Sequence, residues 1–97
     1  MGKDKRYTNV GYLIRDGRIK SFGEIFDVLP KTILAGDLWM NNTRFEKLRN
    51  NIPLFRLKDL YRMAELFEVE ETEILTLVHN QYVLHKESKK KKLKPHL

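Results

Sequence analysis

Cysteine is absent from this 97-residue chain, and so is any lysine or arginine between residues 63 and 85. Without cysteine there is no disulfide framework and no thiolate chemistry, which makes a reducing cytoplasm the expected compartment. No apolar run approaches the ~18 residues that suggest a membrane span. The opening residues, MGKDKR, are charged and lack the apolar segment of a secretory signal. Gly2 does not begin an acylation motif, because Arg6 stands where serine or threonine is wanted. The five glycines are scattered, so none builds a phosphate-binding loop, and no nucleophile–base pair suggests catalysis. His79, His85 and His96 lack the cysteines and paired carboxylates of a metal set. The expectations are no enzyme, no cofactor, no metal, no membrane and no small-molecule ligand.

What the chain does have is charge, unevenly placed. At 41% hydrophobic it suits one globular domain with a modest core. Its net charge of +6 belongs mostly to residues 86–97, where six lysines face only Glu87. Within the remaining body, residues 31–62 balance at +4 and residues 63–85 at −5. Such a bipolar body turns a positive face towards a polyanion.

Three regions follow: an N-terminal arm with a short local element (1–20), a folded domain (21–85) and a lysine-rich tail (86–97). Around Thr8–Ile19, Val10, Leu13 and Ile14 follow helical spacing, with Thr8 as cap and Gly17 closing in a left-handed turn. The alternative is a hairpin about Asp16-Gly17. Ser21-Phe22-Gly23-Glu24 is a capping box opening a helix with Phe22, Ile25, Phe26 and Leu29 on one side. Pro30 ends that helix and suits the start of the next.

Residues 31–50, KTILAGDLWMNNTRFEKLRN, organise the rest. Leu34 and Leu38 are four apart, as are Ala35 and Trp39, giving a short helix over Lys31–Leu38. Phe45 and Leu48 give a second helix its inner face, and Asn41, Asn42 and Thr43 supply the cap between them. That outline is a helix-turn-helix. Asn51 is expected to close the second helix in a left-handed conformation. Leu57–Phe67 reads as an amphipathic helix with Leu57, Leu60, Tyr61, Ala64 and Phe67 inward. A last helix, Glu71–Leu84, turns Ile74, Leu75, Val78 and Tyr82 to the core. Its second stripe, Leu77 and Leu84, is a self-association surface or extra packing against residues 10–26. Ser88–Leu97 is expected to be disordered.

The succession Leu34-Ala35-Gly36-Asp37-Leu38-Trp39-Met40-Asn41, then Phe45 and Leu48, then Leu57, Leu60, Met63-Ala64, Phe67 and Val69, resembles the lambda-repressor-like, Cro-type helix-turn-helix DNA-binding family. The match runs ungapped from Leu34 to Val69, extends to Ile74-Leu75, and the resemblance covers roughly half the chain. The resemblance implies an all-α, five-helix lambda-repressor-like domain with an extra N-terminal element. It also implies sequence-specific duplex DNA binding in transcription regulation, as a homodimer. Asn42, Thr43 and Lys47 would face base edges; Lys31, Thr32, Asn41 and Arg44 would hold the DNA backbone. Trp39 stands at the family's turn glycine, so either the turn is reshaped or Trp39 fills a core gap. Glu24 and Arg49 would form the family's interhelical ion pair with signs exchanged. Glu46 would point along the groove or pair with Lys47 or Asn50. The competing reading is a protein–protein interaction module that keeps the fold without binding DNA.

Overall fold

The structure, a computed structural model, describes residues 4–92. Its order is α1 (Arg6–Arg15), a 3-10 segment (Phe22–Asp27), α2 (Lys31–Asp37), α3 (Asn42–Asn50), a 3-10 turn (Ile52–Leu54), α4 (Leu57–Phe67) and α5 (Glu71–Lys92). The protein is all-α, with no strand among the described residues.

The N-terminal element is a helix rather than a hairpin. It begins at Arg6, two residues before the expected Thr8 cap, because Asp4 Oδ1 accepts from the Arg6 backbone N–H at 2.9 Å. Gly17, at φ +78°, closes it as expected. Tyr7, Val10 and Ile14 are buried, and Gly11 lets α1 lie directly on the end of α4. The capping-box glutamate works: Glu24 Oε1 accepts from the backbone N–H of Lys20 at 2.6 Å and of Ser21 at 2.9 Å. Those backbone donors hold its carboxyl below the usual carboxylate range. The segment it opens is 3-10, however, not α-helical. Eight residues, Phe22 to Leu29, that must deliver Phe22, Ile25 and Leu29 to the core before Pro30 leave little room for α-helical turns.

Phe22, Phe26, Phe45 and Phe55 form the centre, with ring centroids 5.2–6.4 Å apart and mostly edge-on. Each such pair adds about 0.5–1.5 kcal/mol beyond simple burial. This cluster joins the 3-10 segment to α3 and sets the floor on which the helix-turn-helix rests.

Three expected orientations are corrected. In α4, Leu57 and Tyr61 are exposed while Met63 and Leu66 are buried, so the inner face is rotated towards α1 and α5. In α5, Tyr82 is partly exposed, and Leu77, at 3% exposure, is buried in the core. Extra packing is therefore what Leu77 does, and only Leu84 of the expected self-association pair is on the surface. Asn51 is not left-handed: its φ is −139°, because the chain extends there to enter the Ile52–Leu54 turn. Helix α5 runs on to Lys92 instead of stopping at Leu84, taking in the first part of the lysine run. Residues 93–97 of the tail lie outside the described residues. No helix among the described residues is long and apolar enough to cross a membrane.

Candidate nucleic-acid interface

Helix α3 owes its start to Asn41, whose Oδ1 accepts from the Arg44 backbone N–H at 2.7 Å. This N-cap satisfies a donor that the first helical turn leaves open. Phe45 and Leu48 anchor the inner face. The opposite face then follows from helical geometry: Thr43 and Lys47, four apart, point outward together, with Asn50 next in line.

The turn before α3 keeps the left-handed geometry that usually calls for glycine. Trp39 has φ +58° and is 81% exposed, with the Arg62 guanidinium 4.8 Å from its ring centroid. So the turn is not reshaped and Trp39 fills no core gap. Ala35 packs beneath the turn instead, its carbonyl accepting from Met40 N–H at 2.9 Å.

An open groove forms where the start of α2 meets α3. Lys31, Thr32, Asn42, Thr43 and Lys47 all line it, together with Glu46 and Asn50. Five of the seven residues expected to touch DNA thus share one surface. The other two do not: Asn41 is engaged as the cap, and Arg44 lies around α3 in a separate hollow beside Trp39.

Glu46 is the group whose role sequence reasoning missed. One carboxylate oxygen binds Lys31 Nζ at 2.8 Å and the other binds Arg49 at 2.6 Å. Those two cations, Arg49 foremost, hold its carboxyl down at about 2. The Glu46–Arg49 spacing of three was visible in the sequence. The Lys31 contact, fifteen residues away, needed the fold. The pair expected between Glu24 and Arg49 does not form, since Glu24 is occupied as a cap and Arg49 turns to Glu46. Arg49 also lies 5.8 Å from the Phe26 ring centroid, and its buried Nε has no hydrogen-bond partner.

No protein-family model, curated protein or solved structure matches this chain. The reading of its function therefore rests on the groove's own chemistry.

Proposed function

We propose that this domain binds duplex DNA sequence-specifically, as a transcriptional regulator, with α3 lying in the major groove. The observation that carries the proposal is the shared groove, in which Lys31, Thr32, Asn42, Thr43 and Lys47 converge on one open, solvent-facing surface. In this reading Asn42 pairs with an adenine edge, Lys47 reaches guanine acceptors and Thr43 contacts a base edge or methyl. A good bidentate base contact discriminates by about 1–3 kcal/mol. Lys31 and Thr32 grip phosphate and set the register. Arg44 supplies a further backbone cation from the other side of α3, and Asn41 keeps its capping role.

Pairing of two copies belongs to this reading, because one nine-residue helix reads few bases and two-fold symmetry doubles the contacts. Leu77 takes no part in that pairing, and Leu84 is the exposed apolar residue left for it on α5.

Selection of binding sites from a random duplex pool tests the proposal, with a palindromic consensus as the expected result. Lys47→Ala should relax preference at one position, whereas Lys31→Ala should weaken all sequences alike. A uniform effect of Lys47→Ala would refute its base-reading role. A pool that returns no sequence would favour the protein–protein interaction module.

A further inference from the structure

We infer that the hollow between the Trp39 turn and α4 is a second nucleic-acid site, one that takes an unpaired strand. It shares no lining residue with the α2–α3 groove, so it goes beyond the duplex reading.

The inference starts from Trp39. Its left-handed backbone costs on the order of 1 kcal/mol for a residue with a side chain, and its ring repays none of that through core burial. The ring is nevertheless held in place. Arg62 lies 4.8 Å from its centroid, and Arg62 Nε donates to the Asp37 carbonyl at 3.4 Å. Asp37 is fixed in turn by the buried Tyr7, whose hydroxyl donates to Asp37 Oδ2 at 2.7 Å. One face of the indole is thus backed by a cation while most of the ring stays open to solvent. Tyr61, 47% exposed, lines the same hollow.

Around these rings stand Arg44, Arg56 and Lys58, which make no ion pair among the described residues. The two acids present are engaged already. Asp59 is buried and accepts from the Arg56 backbone N–H at 3.3 Å, and Glu65 lies 3.6 Å from Arg62. The hollow therefore offers aromatic faces and unpaired cations side by side.

That combination selects its occupant. A duplex keeps its base faces stacked inside and shows only edges and backbone. An acidic peptide would satisfy the cations and leave both rings unused. An unpaired strand uses both: its bases stack on Trp39 and Tyr61 while its phosphates meet Arg44, Arg56 and Lys58.

Trp39 is the chain's single tryptophan, so its fluorescence reports directly on this site. The experiment titrates the intact protein with an oligothymidylate, a blunt random duplex and polyglutamate in parallel. The expected result is saturable quenching by oligothymidylate that weakens with salt, with weaker quenching by the duplex, whose backbone meets this hollow only at Arg44, and little by polyglutamate. Binding of labelled oligothymidylate, followed by anisotropy, should fall at least about fivefold in Trp39→Ala and recover in part in Trp39→Phe. Circular dichroism of each variant checks that it remains folded. No quenching by oligothymidylate, or unchanged affinity in a folded Trp39→Ala, would overturn the inference. Equal quenching by duplex would reassign the hollow to duplex backbone, and equal quenching by polyglutamate would reassign it to an acidic protein. The duplex reading is scored by site selection at the α3 groove, so either proposal can fail while the other stands.

Discussion

Replacing Glu46 with glutamine keeps the shape of the side chain and removes the only negative charge among the described residues lining the α2–α3 groove. The consequence can be worked from the two ion pairs it makes. Its oxygens hold Lys31 at 2.8 Å and Arg49 at 2.6 Å, so one substitution releases two cations. In the parent each of these cations is shared between the Glu46 carboxylate and phosphate, and one that commits fully to phosphate steepens the dependence of log K on log salt by up to about 0.9. One or two cations so freed make the slope steeper by up to about 0.9 to 1.8, so a fourfold rise in salt weakens the variant by up to roughly 3.5- to 12-fold more than the parent. Affinity at low salt should correspondingly rise. Arg49 is half-buried and packed near Phe26, so the lower figure, carried by the exposed Lys31, is the central expectation. Anisotropy titrations of a labelled random duplex at several salt concentrations measure this directly. Adding Lys31→Ala to Glu46→Gln should cancel most of the gain, as a cycle of coupled residues requires. An unchanged slope in Glu46→Gln, or weaker binding at low salt, would show that the carboxylate does not compete with phosphate for these cations.

Three further outcomes concern stability. The Glu46 carboxyl sits at about 2 against an ordinary 4.5, so its ion pairs support the fold above about pH 4.5 and are lost as pH falls towards 2. Glu46→Gln should flatten that part of the acid-unfolding curve, and an unaltered curve would contradict the pairing. At Gly11 an added Cβ would stand 2.0 Å from the Phe67 carbonyl oxygen, where ordinary contact begins at 3.4 Å, so α1 and α4 would have to part by about 1.4 Å. Overpacking of this kind costs about 1–3 kcal/mol or more, and at roughly 4–8 °C per kcal/mol Gly11→Ala should melt at least about 4 °C lower. Gly36→Ala, with nothing within 4 Å of the new Cβ, should instead gain about 0.5–1 kcal/mol from helix propensity. Thermal melts followed by circular dichroism that moved in the same direction for both would refute the close-approach argument.

Much of this architecture was legible because it is local. The Ser21–Glu24 motif, the Asn41 cap, the Gly17 terminator and the α2–α3 boundaries all depend on residues within about four positions of one another. The misreadings share the opposite cause. In α4, two overlapping apolar stripes satisfy helical spacing, and only the positions of α1 and α5 decide that Met63 and Leu66 win over Leu57 and Tyr61. Spacing alone left Leu77 open to self-association or to extra packing, because the core residues that bury it are brought together only by the fold. At the site, the outward face of α3 could be read from period alone, but the Lys31–Glu46 bridge could not. Trp39 was recognised as anomalous, yet its outward direction depended on the Arg62 contact from a separate helix.

The connection between α1 and α2 is fastened from a distance. Gln81 Oε1 accepts from the Gly23 backbone N–H at 2.7 Å, and Asn80 Nδ2 donates to the Lys20 carbonyl at 2.7 Å. Both fasteners belong to α5, so the segment around Phe22–Asp27 keeps these two bonds only while α5 is docked. In hydrogen-exchange terms the two form one cooperative opening unit, and their amides should lose protection together rather than in turn. Because α2 begins four residues after that segment ends, the footing of the α2–α3 groove is shared with the far end of the chain. A perturbation that frays α5 would reach the groove without touching any residue that lines it.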